Sequence, residues 1–312
     1  GALREFRAAK VCTRQVLATE IAGGSDVHPS GQGQPADHRK GGGSHQRGGV
    51  QVIDPRRADV CSVAIAEAFR GDGERLCNPI GNLPLIGGRL AAATFEPHLA
   101  LTDGYYTLID NVPPVGLSED ERQAQRVIGR WNPYREMFGL LWRGQRHVMM
   151  GATQVDRFGN QNIAAIGSWE QPRSQLLGFR GAPGNTINHT TSYWVPNHSP
   201  KVFVPEVDVV CGIGYDRAAE IGPTSARFHE IRRVVSNLAV FGFAPASEGD
   251  PATMTLLSVH PGVSVDDVVS ATRFELQIPD DVPTSRGPEG IEIEELERID
   301  PEGLRFTEVP DA

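Results

Sequence analysis

Helix-patterned and strand-patterned apolar segments alternate along most of this 312-residue chain. In residues 58–73 the apolar positions Val60, Ala64 and Phe69 recur at helical spacing, and a Gly-Asp-Gly run then ends the pattern. Residues 75–80 follow as a short apolar strand. Alternation of this kind, with strands that are apolar on both faces, is typical of a mostly parallel sheet covered by helices on both sides. The sequence therefore predicts an α/β fold with an open sheet.

The same patterns assign the later elements. Further strands are predicted over 98–104, 146–156, 201–214 and 255–263, and further helices over 84–95, 132–144 and 264–274. In the last helix Ser264 suits the N-cap, and Asp266 and Asp267 place negative charge where the helix dipole favours it. Gly87 and Gly88 weaken the first of these helices. The four tryptophans are predicted to be packing residues: Trp131, Trp142, Trp169 and Trp194.

The first 56 residues differ in composition from the rest of the chain. Residues 21–50 are rich in Gly, Ser, Gln, Pro and charge, so they cannot bury enough apolar surface to offset the entropy of ordering. The chain also opens with Gly rather than Met, which fits a mis-assigned start. We expect residues 1–56 to be disordered or mis-assigned, and residues 57–312 to form one domain.

Composition limits the partners and the compartment. A formal charge of −9 argues against binding of a phosphate backbone, which depends on clustered Lys and Arg. The four cysteines lie far apart, without a C-x-x-C pair, so neither a zinc site nor a disulfide framework is expected. This cysteine pattern fits a protein of the reducing cytoplasm. No apolar run reaches the roughly 18 residues that a bilayer span requires. Neither nucleic acid nor a membrane is an expected partner.

Polar turns after strands are the places to look for chemistry, because ligands bind beyond the carboxyl ends of strands in open parallel sheets. Three segments have this character: residues 101–104, 151–162 and 180–191. In the second segment Asp156, Gly159 and Asn160 favour a tight hairpin connection.

The third segment carries the densest polar chemistry. Gly181 and Gly184 would let backbone N–H groups approach an oxygen of a thioester, a pyrophosphate or a carboxylate, although the same residues also suit a plain turn. No Gly-Lys-Ser/Thr follows, so this is not a P-loop. Hydrogen-bonding side chains then follow in a row: Asn185, Asn188, His189, Thr190, Thr191, Ser192 and Tyr193. Such a row is too polar for a core strand and should face water, a ligand or a partner.

Asn188 and His189 are the candidates within that row for binding a substrate oxygen. A histidine alone is more often a structural hydrogen-bonding residue, and its asparagine neighbour is what favours a ligand role. The other histidines show no metal-ligand spacing, so a metal site is not expected.

Five segments, in order, resemble the β subunits of class I coenzyme A transferases, particularly the glutaconate type: GNLPLIGGRLAAATFEPHLALTDG, VMMGATQVDRFGNQN, GFRGAPGNTINH, VHPGVSVDDVVSATRFEL and IDPEGLRF. The resemblance covers residues 58–311. Within the family the chain is most similar to the steroid ring-opening hydrolases of actinobacteria, over residues 147–152, 184–189, 191–195 and 234–238. The resemblance implies an α subunit as partner, in an αβ or α2β2 assembly. It also implies an acyl-CoA substrate, with coenzyme A as part of the thioester and no permanently bound cofactor.

One turn departs from the transferase pattern. Transferases of this class carry Glu-Ser-Gly, whose glutamate attacks the acyl-CoA carbonyl, where this chain has Thr102-Asp103-Gly104. A threonine hydroxyl without a base is a poor nucleophile. Asp103 is one residue out of register and one methylene shorter, whereas reacting atoms must lie about 3–3.5 Å apart. The resemblance therefore implies hydrolytic cleavage of a carbon–carbon bond in a steroid-derived ring, with the acid/base glutamate supplied by the α subunit.

The resemblance also implies roles for the candidate residues. Asn188 and His189 would donate hydrogen bonds to the developing enolate, and Asp103 would orient water or cap its turn. The residues expected to bind substrate or coenzyme A are Thr102, Gly104, Gly181, Gly184 and Asn185. Two alternatives stay open: a true CoA transferase with Asp103 as nucleophile, and a non-catalytic subunit that completes the site of the α subunit.

Overall fold

A computed structural model describes residues 56–104 and 106–309 of the chain. Residues 1–55, which we predicted to be disordered or mis-assigned together with Arg56, lie outside the described residues. The strands are β1 Leu76–Pro79, β2 Leu101–Thr102, β3 Thr107–Ile109, β4 Ile128–Trp131, β5 Arg146–Gly151, β6 Gln154–Val155, β7 Gln161–Asn162, β8 Ala165–Gly167, β9 Pro172–Gln175, β10 Thr190–Val195, β11 Glu230–Ser236, β12 Ala239–Pro245 and β13 Ala252–Val259. The helices are α1 Arg57–Ala68, α2 Asn82–Ala93, α3 Glu119–Gln125, α4 Tyr134–Trp142, α5 Ala182–Asn188, α6 Tyr215–Ser225, α7 Val265–Ser270, α8 Ile291–Ile299 and α9 Arg305–Glu308.

A six-stranded sheet with the order β1-β5-β10-β11-β12-β13 forms the centre of the fold. The first four strands are parallel, and β12 and β13 add an antiparallel edge. Successive side chains of a strand point to opposite faces, so each face has its own core. Met149 and Trp194 pack with α1 and α2 on one face, and Val148 and Tyr193 pack with residues of α5 and α7 on the other. The prediction of an open, mostly parallel α/β sheet with helices on both faces is confirmed.

The two glycines of α2 are explained by close packing. A Cβ atom at Gly87 would lie 2.3 Å from Cγ2 of Ile65 in α1, and one at Gly88 would lie 2.8 Å from Sγ of Cys77 in β1. Glycine therefore weakens the helix locally but allows it to lie directly against α1 and the sheet.

Local signals in the sequence were reliable. The predicted hairpin joins β6 to β7, with Gly159 at φ 85° and Oδ1 of Asp156 accepting from the N–H groups of Phe158 and Asn160, each at 3.0 Å. Oγ of Ser264 caps α7 by accepting from the N–H of Asp267 at 3.1 Å.

The predicted strand over 201–214 is wrong. Only isolated bridges form in this segment, from Phe203 to Val155 and from Gly212 to Gln161. Pro205 lacks an N–H group, and Phe203 is buried individually, with its ring stacked on His198 at a centroid distance of 3.7 Å. An irregular segment whose apolar side chains are buried individually can thus have the sequence pattern of a strand. The strand predicted over 98–104 is likewise reduced to Leu101–Thr102.

Three of the four tryptophans contradict the packing prediction. Trp194 is 3% exposed, whereas Trp131, Trp142 and Trp169 are 69%, 62% and 55% exposed. Large apolar side chains in such numbers on a surface call for a partner. No helix in residues 56–309 has the length and apolar character needed to cross a membrane.

Candidate active site at the carboxyl end of β1

The turn Thr102-Asp103-Gly104 lies beside the carboxyl end of β1. Ala100 pairs in parallel with Leu76, so Thr102 comes level with Asn78. Gly104 has φ 83° and donates its N–H to Oγ1 of Thr102 at 3.1 Å. The turn therefore presents the hydroxyl of Thr102 at the position where the resemblance to the transferases places a glutamate.

The carboxylate of Asp103 is already engaged within the chain. Its Oδ2 accepts from Nη1 of Arg126 and from Oγ1 of Thr107, each at 2.6 Å, and its Oδ1 accepts from the N–H of Thr107 at 3.2 Å. The side chain is only 7% exposed. A carboxylate held in this way stabilises the turn, which is the structural role predicted as the alternative to orienting water.

A cavity of about 210 Å³ opens against this turn. Its apolar wall consists of Pro79, Leu85, Leu101, Ile109 and Pro113. Thr102, Asp103 and Gly104 line it as well, together with Asn78, Glu119, Gln123 and three arginines. A cavity that combines an apolar wall with convergent polar groups is the usual form of a small-molecule site.

The three arginines of the cavity differ in their pairing. Arg126 is paired with Asp103, and Nη2 of Arg122 donates to Glu119 at 2.7 Å. Nη1 of Arg89 is buried and has no hydrogen-bond partner among the described residues. Burial, with the nearby charge of Arg122 as a further cause, lowers the pKa of Arg89 to about 10, so it remains a cation at neutral pH.

Segment 180–191 does not form the predicted loop. Residues 182–188 form α5 and residues 190–195 form β10, every residue of which is buried. Gly181 and Gly184 are exposed at and near the start of α5, and a Cβ atom at either would meet only ordinary contacts. Asn188 is half-buried and donates to the carbonyl of Gly184 at 2.9 Å. A close approach to a substrate oxygen stays a prediction for these three residues.

His189 is fully buried and both ring nitrogens are used inside the chain. Nδ1 faces the carbonyl of Thr190 at 3.0 Å and must donate to it, which leaves Nε2 to accept from Nη1 of Arg146 at 3.3 Å. Burial, assisted by the charge of Arg146, lowers the pKa of His189 to about 4, although its bond to Thr190 opposes the shift. Both ring nitrogens are engaged within the chain in this arrangement, and a donor role toward a substrate stays a prediction for His189. Asn185 is also buried and accepts from Arg146 at 3.0 Å.

The predicted residues therefore do not form one site in this chain. Asn188 and His189 precede β10 and lie at its amino end, whereas Thr102–Gly104 lies at the carboxyl end of β1. Three strand spacings separate β2 from β10, which amounts to about 14 Å. A buried hydrogen-bond chain connects the two places, because Arg146 donates to Asn78 of the cavity and also contacts His189. His189 thus reaches the cavity only by orienting Arg146.

The polar row predicted to face water or a ligand is instead a core strand with internal partners. Oγ of Ser192 lies 2.8 Å from Nε2 of His147, and Nδ1 of His147 lies 2.6 Å from Asp72. The hydroxyl of Tyr193 donates to the carbonyl of Gly159 at 3.1 Å. Hydrogen bonds to distant elements thus satisfy Ser192 and Tyr193, which sequence reasoning could not foresee, whereas Oγ1 of Thr191 is buried without a hydrogen-bond partner among the described residues.

Asp72, His147 and Ser192 have the connectivity of a catalytic triad but not its accessibility. His147 and Ser192 are fully buried, and Asp72 is 6% exposed. Nη1 of Arg232 donates to Asp72 at 2.6 Å. Burial alone would raise the pKa of Asp72, but the hydrogen bond from His147 and the charge of Arg232 hold it below its ordinary value. This cluster stabilises the sheet and is closed to a substrate.

No group of three or more His, Cys, Asp or Glu side chains in the described part of the chain is placed to hold a metal ion. Cys77 lines the cavity, and burial raises the pKa of its thiol well above the ordinary value. A thiol in that state is a poor nucleophile at neutral pH. The chemistry of the cavity is therefore that of its hydroxyl, amide, guanidinium and carboxylate groups.

The fold and the strand-end turn define a subunit of the CoA-transferase type. Glutaconate coenzyme A-transferase from Acidaminococcus fermentans shares the fold with a TM-score of 0.67 at 21% identity, over 81% of this chain and 98% of that chain. The structure of Rhodococcus jostii RHA1 IpdAB matches with a TM-score of 0.74 at 44% identity, over 83% of this chain and 99% of that one. The cholesterol ring-cleaving hydrolase IpdB subunit of the same organism is 45% identical over 259 residues, which is 83% of this chain and 98% of the relative.

A scan against models of protein families found no match. The sequence and structure comparisons are nevertheless sufficient: the chain belongs to the family of IpdB subunits of cholesterol ring-cleaving hydrolases. The resemblance predicted from its five segments is confirmed.

Proposed function

We propose that this chain is the β subunit of a heteromeric enzyme that hydrolyses a carbon–carbon bond in a steroid-derived ring held as a CoA thioester. Its IpdB relatives are named as subunits of a cholesterol ring-cleaving hydrolase, and the structure that it matches at 44% identity is an IpdAB assembly. The partner is then the α subunit of the same enzyme. An αβ or α2β2 stoichiometry and a cytoplasmic location stay predictions.

The observation that carries this proposal is the turn beside the cavity. A transferase needs a free carboxylate there, whereas this chain offers the hydroxyl of Thr102 and a carboxylate already bound by Arg126 and Thr107. Without a nucleophile on this chain, no acyl-enzyme forms on it. The cavity would then hold the acyl ring while acid/base groups of the α subunit act on it.

Hydrolytic ring cleavage needs few groups in such a site. A base removes a proton from water as the water oxygen adds to a ring carbonyl. The adjacent carbon–carbon bond then breaks, its electron pair forms an enolate that hydrogen-bond donors stabilise, and a proton is returned to carbon. One water is consumed. The α subunit would supply the base, and Thr102 and Asn78 of this chain line the cavity and can contact the ring.

Asn188, Gly181 and Gly184 keep a proposed binding role away from the ring. At about 14 Å from the turn they cannot contact the same atoms as Thr102. Gly181 and Gly184 are exposed at the start of α5, and Asn188 is half-buried at its end, which fits the coenzyme A part of the thioester better.

The reaction type can be tested by trapping. Borohydride or hydroxylamine added while the purified αβ complex turns over its acyl-CoA should leave this chain unmodified, as judged by intact-mass and peptide mass spectrometry. An authentic CoA transferase of the same fold, treated identically, should be labelled and inactivated. A label on Asp103 would establish the transferase alternative. A catalytically inactive site on both chains would leave this chain a structural subunit.

An aromatic stripe on α4 is the surface that we assign to the α subunit. Tyr134, Phe138 and Trp142 lie one turn apart along the helix, their ring centroids are 5.3 and 5.9 Å apart, and no residue of α4 is buried. Exposed aromatic clusters of this kind mark protein interfaces. The IpdAB assembly matched by this chain shows that such a subunit works with a partner chain.

Phe138→Asp should therefore weaken binding of the α subunit at least roughly tenfold, because a charge in the centre of an apolar interface costs on the order of 2 kcal/mol. Co-purification and biolayer interferometry of the two chains measure this. Val269→Asp is the matched control, since Val269 is an exposed apolar residue on α7. Unchanged binding by the Phe138 variant, or a change only in self-association of this chain, would contradict the assignment.

A further inference from the structure

An unpaired cation lies in the wall of the cavity beside Thr102. Arg89 extends from α2, and its Nη1 is buried without a hydrogen-bond partner in residues 56–104 and 106–309. The other two arginines of the cavity are paired with Glu119 and Asp103. A guanidinium taken out of water without a counter-ion is costly, so its place in the fold needs a reason.

The surroundings of Arg89 increase that cost. The charged groups that influence it most are Arg122 and Arg298, both cations, and no ion pair joins it to a carboxylate in the described part of the chain. Leu85 and Leu101 share the cavity wall with it, and the two carboxylates of the lining, those of Asp103 and Glu119, are bound by Arg126 and Arg122. A bound anion would neutralise the positive charge of Arg89, and a planar carboxylate matches the geometry of its guanidinium group.

We propose that Arg89 forms a carboxylate subsite, which binds a free carboxylate carried by the acyl part of the thioester. The identity of the acyl ring rests on the proposed function. The negative charge of the bound group is inferred from the unpaired guanidinium. The apolar wall contacts the carbon skeleton, and the position beside Thr102 brings the ring to the turn. The phosphates of coenzyme A fit less well, because a cavity of about 210 Å³ is small for groups that must keep several charges solvated.

Binding of small probes to the αβ complex tests the subsite directly. Cyclohexanecarboxylate combines an apolar ring with one carboxylate, and cyclohexanecarboxamide is its neutral counterpart. The carboxylate should bind, the amide should bind roughly tenfold or more weakly, and inorganic phosphate should not compete with the carboxylate. Calorimetry or ligand-observed NMR gives the affinities.

Arg89→Met, which keeps the length of the side chain, should lose the preference for carboxylate over amide. Arg89→Lys should retain part of it, and Arg143→Met, at an exposed position outside the cavity, should bind like the wild type. The melting temperature of Arg89→Met should not fall, since the substitution removes an unpaired buried charge. A fall would mean that Arg89 is paired in the complete protein.

Three outcomes would overturn the subsite. They are equal affinity for acid and amide, an unchanged preference in Arg89→Met, and loss of α-subunit binding in that variant, which would assign the anion to the partner chain. Competition by phosphate would assign the anion bound by Arg89 to coenzyme A instead, and would likewise overturn the subsite. Probe binding does not require turnover, so a subsite that binds the acid in a complex without ring cleavage would refute the proposed function alone.

Discussion

Asp72→Asn is expected to lower the free energy of unfolding by about 3–5 kcal/mol, because it breaks a buried charge cluster from one side. The carboxylate accepts from His147 and Arg232 at 2.6 Å each, and from Arg75 at 3.2 Å. The amide of asparagine offers one acceptor oxygen, and its NH₂ group would face donors. In a domain of this size the melting temperature should fall by roughly 10 °C. Urea unfolding and differential scanning calorimetry measure both quantities.

Asp250→Asn is the control, since Asp250 lies on an exposed turn. It should change the stability by less than about 0.5 kcal/mol. Equal stability of the two variants would mean that the cluster contributes nothing beyond packing.

The Asp72 cluster also predicts a dependence on pH. Because the folded state holds the pKa of Asp72 below its ordinary value of 3.8, the carboxylate stabilises the fold above that pH and stops doing so as the pH falls through the lower folded value. The difference in the free energy of unfolding between wild type and Asp72→Asn should therefore be largest near neutral pH and should decrease below about pH 4.

Gly87→Val should destabilise the chain by about 1–3 kcal/mol through overpacking, and it should also disturb the cavity. A Cβ atom at this position would lie 2.7 Å from Cβ of Ile65, which α1 holds in place, so the helix α2 must move. Leu85 and Arg89 extend from the same helix into the cavity wall. We expect weaker binding of cyclohexanecarboxylate as well as a lower melting temperature.

Two further variants isolate the clash. Gly139→Val places a side chain in α4 where the nearest atom belongs to the flexible end of Arg143 at 3.2 Å, so the stability should stay unchanged or rise slightly, because valine has a higher helix propensity than glycine. Ile65→Ala in the Gly87→Val background should restore part of the lost stability, giving a double variant less destabilised than the sum of the two single ones. Additive effects would show that the two side chains do not meet.

The turn at Thr102–Gly104 and the unpaired Arg89 give the cavity two distinct properties. The turn lacks a free carboxylate, which favours hydrolysis with help from another chain, and the arginine provides positive charge for an anionic substrate. The chain Asn78–Arg146–His189 connects the cavity to the buried start of β10. His189 therefore belongs to the framework that positions Asn78.

Features that depend on neighbours in sequence could be predicted from the sequence. The helical spacing of Val60 and Ala64 predicted α1, and Ser264 predicted the N-cap of α7. Asp156 and Gly159 predicted the hairpin between β6 and β7. These signals act over one or two turns of chain, where backbone geometry and local hydrogen bonds decide the outcome. The order of the five segments likewise identified the fold and the strand-end turn.

Only the tertiary structure decided which polar side chains meet a ligand and which meet each other. Ser192 is buried because His147, 45 residues away, accepts its hydrogen bond, and burial together with the charge of Arg146 lowers the pKa of His189. Arg89 is unpaired because the nearby carboxylates bind Arg122 and Arg126 instead. Burial and hydrogen-bond partners depend on how distant elements pack, so a polar residue in sequence does not reveal whether its partner is protein, water or substrate.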